Sequence, residues 1–234
     1  MKILLSPAKT FSKNPIQESA SCLFPKESSI LVNRLKKLSL KDIEEGMRVS
    51  PQIAKSVYSY YENFDCETYQ AWSLYDGQAF KGLDAMTIDA KHFDYVREHL
   101  LIMSGLYGLV RAFDGISKYR LEMQDKTIKD LYLFWKKPIH DFLADEWIIN
   151  LASHEYSKIL NPKLNILTID FLQTLNGQTK SISMHTKKAR GMMARYLITH
   201  HIKNPIDIKS FCEDGYSFSK VLSSDTHFVF KKVI

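Results

Sequence analysis

Met103-Ser-Gly-Leu-Tyr-Gly-Leu-Val-Arg-Ala-Phe-Asp-Gly-Ile-Ser-Lys-Tyr-Arg-Leu-Glu-Met123 is the stretch on which the reading of this chain turns. It continues the apolar run Leu100-Leu101-Ile102-Met103, which reads as a buried strand, and it holds three of the nine glycines. Gly105 and Gly108 bracket Leu106-Tyr107, so the chain there can turn tightly or let a ligand approach the backbone. Asp114-Gly115 is a second turn signal. Beyond it Tyr119, Leu121 and Met123 alternate with Arg120 and Glu122, the pattern of a short strand with one apolar and one charged face. Two readings fit. One is a buried strand with a solvated Arg-Glu pair; the other is a pocket wall on which Arg111 and Arg120 face an anion.

Working outward, residues 2–5 read as a first buried strand and Ser6-Pro7-Ala8-Lys9-Thr10 as the loop that leaves it. That loop suits either a phosphate or a plain proline turn, but it is no Walker loop, because Gly-x-x-x-x-Gly-Lys is absent. Residues 11–27 read as loop. Ser28 or Ser29 would cap a helix to about Leu38, with Ile30, Leu31, Leu35 and Leu38 buried. Ser39 caps a helix over 40–47. Ser50, followed by Pro51 at the first helical position, caps a third to about Tyr61. Gln78 to Gly82 reads as a short strand, and Asp89 to His99 as a helix with Phe93 and Val96 inward. Asp130 would cap a helix to about Ala144 that Pro138 bends or splits. Trp147 to Leu151 reads as a buried strand, followed by a short helix capped by Ser153. Two strands around Asn176-Gly177 form a hairpin, the second running to Met184. Thr186 then caps a helix to about Ile202, and late strands follow at Tyr216–Phe218 and Phe228–Lys231.

Within that last helix, Ala189, Met192, Met193, Tyr196, Leu197 and His200 share one arc, the expected core face. Lys187, Lys188 and Arg195 fall opposite, with Gly191 among them. Two lysines in a first turn oppose the helix dipole at a cost of roughly 0.3–1 kcal/mol each, and a helical glycine costs about 1 kcal/mol against alanine. Both costs make sense if a phosphate backbone docks on this arc; the alternative is a solvated basic face.

The composition sets bounds. The 234 residues are 45% hydrophobic and 25% charged, with 12 Tyr and 13 Phe, which suits one folded domain rather than a disordered chain. A net charge of +6 and a pI near 9.0 favour polyanionic partners. Cys22, Cys66 and Cys212 lie far apart without a Cys-x-x-Cys, so they read as reduced thiols in a reducing compartment, with no structural metal. The N-terminal apolar run is too short for a signal peptide, and no run reaches the ~20 residues of a membrane helix. The expected location is therefore cytoplasmic. Neither His-Glu-x-x-His, Gly-x-Ser-x-Gly nor Gly-x-Gly-x-x-Gly occurs, so no metal, cofactor or nucleophile is assigned.

Several blocks in order resemble the YaaA family of bacterial peroxide-stress-resistance proteins. They are Leu5-Ser6-Pro7-Ala8-Lys9-Thr10; Ala79-Phe80-Lys81-Gly82; Ser104-Gly105-Leu106-Tyr107-Gly108 with Arg111, Asp114 and Tyr119–Met123; Leu131–Trp135; Asn150–Ser153 with Glu155-Tyr156; Lys187-Lys188-Ala189-Arg190-Gly191; and Gly215–Phe218. The resemblance spans nearly the whole chain. It implies a single α/β domain over 1–234 with a mixed sheet and a basic cleft, and a cytosolic role in surviving hydrogen peroxide by limiting free intracellular iron. It also implies binding to duplex, bulged or branched DNA through that cleft and a helix-hairpin-helix. Such a hairpin reads roughly Gly-hydrophobic-Gly-Pro-Lys-x-Ala. Arg48-Val49-Ser50-Pro51-Gln52-Ile53-Ala54, within the segment of about 40–60, matches its hydrophobic, proline and alanine positions and replaces both glycines.

Two functions compete. In the first, Lys187, Lys188, Arg190 and Arg195 meet DNA phosphates while Arg48 and Ser50 hold the backbone at the hairpin. In the second, an enzyme acts on a nucleobase or nucleotide in a pocket of Ser6, Lys9, Lys81, Tyr107, Arg111, Arg120 and Glu122. Glu122, Tyr107 and Lys9 are then the catalytic candidates, Glu122 as general base and Tyr107 as stacking platform. A third possibility is a scaffold in iron handling that touches no nucleic acid. Convergence of Lys9, Arg120 and Glu122 in one pocket favours the second.

Overall fold

β1 (Lys2–Leu5) is the axis of the fold, its Ile3, Leu4 and Leu5 having no exposed surface. In the computed structural model, which describes residues 1–175 and 178–233, three helices follow it: α1 (Pro25–Leu35), α2 (Leu40–Met47) and α3 (Pro51–Glu62). Next come β2 (Tyr69–Gln70), α4 (Ala71–Leu74), α5 (Gln78–Leu83) and α6 (Phe93–His99), then β3 (Leu100–Ser104), β4 (Gly108–Arg111) and β5 (Gly115–Ile116). The second half holds α7 (Leu131–Leu143), β6 (Trp147–Asn150), α8 (His154–Ser157), β7 (Asn165–Leu175), β8 (Gln178–Lys180), α9 (Ser183–Thr199), β9 (Ser217–Phe218) and β10 (His227–Val233). It is a mixed α/β fold around one eight-stranded sheet, with β2 and β5 forming a separate antiparallel pair.

That sheet runs β4-β3-β1-β6-β7-β10-β9, with β8 on the free stretch of β7 beyond β6. The pairs β3-β1, β1-β6, β6-β7 and β7-β10 are parallel, while β4 and β9 close the two edges antiparallel. Parallel strands covered on both faces need continuous apolar sequence, which Leu100–Met103 and Ile148-Ile149 supply. Trp147, counted with that buried run, is 49% exposed at the mouth of β6. The Asn176-Gly177 turn lies outside the described residues. The strands it joins do pair, but β8 ends at Lys180, because Ile182 N–H donates to the Gln173 side chain and starts α9.

Helix ends follow local chemistry where a side chain meets an orphan amide. Ser39 and Asp42 cap α2 reciprocally, Asp42 N–H donating to Ser39 Oγ at 3.2 Å and Ser39 N–H to Asp42 Oδ2 at 2.8 Å. Ser50 Oγ accepts from Ile53 N–H at the start of α3. Between the two helices Arg48 takes the left-handed conformation, φ 53°, at the first glycine position of the hairpin pattern. A glycine there avoids the Cβ strain; arginine carries it, at roughly 1 kcal/mol.

Other ends correct the sequence reading. α1 starts at Pro25, whose ring presets the first turn, and Ser28 sits inside it donating to Phe24 O; Ile30 is 46% exposed while Val32 is buried. Asp130 has φ 57° and makes no side-chain cap, and α7 runs through Pro138 without a break. Thr186 is not a cap. It is buried within α9, donating to Phe171 O on β7. The expected strand Gln78–Gly82 is the helix α5, and Tyr119–Met123, though its side chains alternate inward and outward, is extended without strand partners.

The core face of α9 is wider than one arc. Gly191, Ala194 and Ile198 are buried along with Ala189, Met193, Tyr196 and Leu197, while His200 is exposed. The helix is covered from two sides, by the sheet and by α5. At the α5 crossing the backbones touch: a Cβ on Gly191 would stand 1.8 Å from Ala79 O, and one on Gly82 would stand 2.1 Å from Lys188 O.

Candidate functional site

The sheet changes direction at β1. From β1 the chain passes to β3 on one side and later returns to β6 on the other, so the loops leaving β1 and β6 diverge. In open α/β sheets ligands settle in that crevice, at the carboxyl ends of the strands. Here the crevice is a cleft of about 280 Å³. One wall is the Ser6–Thr10 loop, the opposite wall Leu151, Ser153 and the Glu155-Tyr156 pair of α8. The first turn of α5, the extended Tyr119–Glu122 segment and Lys187 and Arg190 of α9 complete it.

The two strand loops are locked at the base. Ser153 N–H donates to Ser6 Oγ at 2.8 Å, and Ser6 Oγ donates to Ser153 Oγ at 3.2 Å. The Tyr119–Glu122 segment is fixed as firmly. Leu121 O presses on Gly105, where a Cβ would lie 2.3 Å away, and the Tyr61 hydroxyl of α3 donates to Arg120 O at 2.6 Å. Glu122 N–H donates to Asp125 Oδ2 at 2.7 Å. Gly105 therefore serves both the tight turn from β3 to β4 and this close backbone approach.

Lys9, Arg120 and Glu122 converge. Glu122 Oε2 lies 2.7 Å from Lys9 Nζ, and Oε1 lies 3.4 Å from Arg120 Nη2. Arg120 and Glu122 are about four-fifths buried, whereas Lys9 is 63% exposed and spans the rim. On α9, Arg190 Nη2 reaches Asp170 Oδ1 of β7 at 3.3 Å; burial works against its charge, and Asp170 offsets that only in part. Burial, then the neighbouring Glu122 carboxylate, pushes Glu155 above the ordinary carboxylate range. Burial also pushes Tyr119 up to about 12; its hydroxyl is shared with Tyr75 and Ser104, each at 2.7 Å, and stays protonated near neutrality. Four cations (Lys9, Arg120, Lys187, Arg190) thus face two carboxylates (Glu122, Glu155), and the surplus is positive. The charge balance suits an anion, with Glu155 placed to accept or hold a proton.

The profile of the peroxide stress protein YaaA family matches residues 1–222, every wall of the cleft included. The chain belongs to that family. The family's description supports a role in peroxide stress. Among its relatives are UPF0246 proteins from Fusobacterium nucleatum, 37% identical over 99% of both chains, and Francisella philomiragia, 37% identical over 99% of this chain and all of the other. A third, from Cupriavidus pinatubonensis, is 35% identical over 99% of this chain and 98% of its own length.

This YaaA-family chain divides the residues singled out from its sequence. Ser6, Lys9, Arg120 and Glu122 line the cleft; Lys81, Tyr107 and Arg111 do not. Tyr107 is buried, its hydroxyl accepting from Ser117 N–H at 3.0 Å, so it offers no stacking face to a ligand. Arg111 ends β4, 3.8 Å from Asp114, and Lys81 is exposed on α5. The basic arc of α9 also disperses. Lys187 and Arg190 enter the cleft and Lys188 is exposed, while Arg195 donates to Leu83 O and Asp84 O and so closes the end of α5. Arg48 and Ser50 are both exposed on the helical hairpin. Ser153, Glu155 and Tyr156 belong to the site and escaped the sequence reading of its chemistry, although Glu155-Tyr156 stood in one of the family blocks.

Among the described residues no helix is long and apolar enough to cross a membrane, and no three His, Cys, Asp or Glu side chains gather where a metal ion would sit. Cys22, Cys66 and Cys212 are free thiols.

The Asp125 brace titrates in an accessible range. Burial lifts its carboxyl to about 6, so the folded state holds that proton more tightly than the unfolded chain. The stability this contributes is full below about pH 4 and lost as the pH rises through 6. Asp125→Asn keeps an acceptor for Glu122 N–H without the charge. Its melting temperature is expected to gain on the wild type between pH 4 and 7. A constant difference across that range would show that Asp125 ionises as freely folded as unfolded.

Proposed function

We propose that this YaaA-family protein counters hydrogen peroxide by binding DNA without sequence preference, across the basic cleft and the α2–α3 hairpin, and that it thereby serves to lower free intracellular iron. The observation that carries the DNA reading is the excess of cations gathered at the switch point of the sheet, with Lys187 on its wall and Lys188 exposed beside it on the same helix. The Arg48–Ala54 turn adds backbone donors at a capped helix start, the arrangement that suits phosphate. The iron limb follows from the family resemblance. The expected place of action is the cytoplasm.

The test is the salt dependence of binding to plain, bulged and branched duplexes. Lys187→Glu with Lys188→Glu is expected to weaken all three about equally and to flatten log affinity against log salt by about 0.9 for each phosphate no longer neutralised. An unchanged slope in the folded variant overturns the DNA reading at this rim. Chelatable iron, followed by electron spin resonance in cells under peroxide, tests the iron limb. Equal levels with and without the protein would remove it.

A second reading, an enzyme acting on a nucleobase or nucleotide, is favoured by a specific observation. Lys9, Arg120 and Glu122 meet in a concave site near the small end of ligand clefts, which run roughly 300–1,000 Å³. A duplex cannot enter such a volume; one nucleotide can.

A further inference from the structure

Among the described residues, four buried side-chain polar atoms have no hydrogen-bond partner: Arg120 Nε, Arg190 Nε, Glu155 Oε1 and Thr127 Oγ1. Buried polar groups are nearly always partnered, so each such atom asks for an explanation. The residues that carry the first three, Arg120, Arg190 and Glu155, all line one cleft, the three atoms lying just beneath its surface. The fourth lies elsewhere, under α2, where Thr127 packs on Gly46.

Both guanidinium groups are tethered in the same way. Arg120 gives Nη2 to Glu122 and Arg190 gives Nη2 to Asp170, and in each the Nε–H is left over. A guanidinium is a rigid planar fork, so one tethered arm fixes the direction of the rest. His227 Nε2 holds the other oxygen of Asp170 at 2.9 Å, which steadies the Arg190 tether further. Glu122 already has Lys9 and Arg120 as partners, whereas Glu155 keeps an oxygen free to accept. The site thus offers two unpaired cationic donors and one unpaired acceptor. A lone oxyanion satisfies the first pair and leaves the acceptor orphaned. A lone cation does the reverse.

The geometry points to a single nucleotide unit as the ligand of this cleft, its phosphate taken by Arg120 Nε and Arg190 Nε and an N–H donor of its base by Glu155 Oε1. This rests on the nucleotide-pocket reading and names its ligand and its contacts. Phe80, Leu121 and Leu151 supply the apolar lining that a planar heterocycle needs. The cleft is too small for a base pair, so a nucleotide within DNA would enter only from a strand that is unpaired at that point.

The test compares deoxycytidine 5′-monophosphate with inorganic phosphate as probes, by calorimetric titration of the full chain. The nucleotide is expected to bind at least about tenfold more tightly, the scale of one hydrogen bond to a charged group. Arg190→Lys keeps the charge but removes Nε–H, and should weaken both probes about tenfold. Glu155→Leu should erase the advantage of the nucleotide while leaving phosphate as tight or tighter. Thr127→Val, at the orphan outside the cleft, should change neither affinity. Melting curves establish that each variant is folded. A nucleotide that binds no better than phosphate overturns the inference, as does a Glu155→Leu protein that keeps the full preference. A nucleotide that binds no better than phosphate removes the nucleotide-pocket reading as well, whereas a Glu155→Leu protein that keeps the full preference leaves that reading standing and removes only these contacts.

Discussion

Gly191→Ala is expected to be among the most damaging single changes in the chain, lowering stability by about 3 kcal/mol or more. The added methyl would meet Ala79 O at 1.8 Å and Leu83 N at 2.7 Å, and these are backbone atoms that cannot swing aside. Alanine does favour a helix over glycine by about 1 kcal/mol, but overpacking in a tight core costs roughly 1–3 kcal/mol and sometimes more. Here the clash is with a second helix whose own Gly82 is equally confined by Lys188 O. The net loss should lower the melting temperature by roughly 6–12 °C in a protein of this size. Melting within about 2 °C of the wild type would mean that α5 and α9 separate easily. The same glycine read in the sequence as bare backbone offered to a phosphate. It is instead the floor of a helix crossing.

The second large effect is functional. Arg120→Ala is expected to weaken binding in the cleft about 30-fold or more, the range for truncating a buried, hydrogen-bonded charge. Complementing a strain that lacks its own family member, it should leave survival of peroxide close to that of the empty vector. The fold should hold, because the Arg120 carbonyl, not its side chain, accepts from Tyr61. Arg111→Ala is the matched control. It removes an arginine of the same stretch that lies outside the cleft, so survival should stay at the wild-type level. Equal phenotypes for the two variants would place the function away from this site.

The strands at the centre were legible because burial on both faces leaves unbroken apolar runs, and α2 and α3 because Ser39, Ser50 and Pro51 act on their own neighbours. What misled was short-range pattern without its tertiary partner. Gln78–Gly82 is a helix because its close fit against α9 favours one, a fact that five residues do not carry. Tyr119–Met123 alternates like a strand because one side packs against Gly105 and the other faces the cleft, although nothing pairs with its backbone. The site was half legible. Ser6, Lys9, Arg120 and Glu122 meet there as the pocket reading asked, while Lys187 and Arg190, assigned to DNA phosphates, come to the same place from the far end of the chain. Glu155 carried no spacing signal at all. Only the parallel pairing of β1 with β6 brings its loop opposite Ser6.

That pairing also dictates the order in which the molecule can be made. Ile3 sits between Leu100 and Ile149, partners 97 and 146 residues away. On the ribosome the first strand therefore waits, at about 5–20 residues per second, for roughly 7–30 s before its second neighbour has even been synthesised. Contacts so distant in sequence are slow to form and leave apolar segments uncovered meanwhile. The nascent chain should be a frequent client of chaperones. Its cleft should appear in one late step, because Lys187 and Arg190 complete its lining and no fragment ending before Arg190 holds it whole.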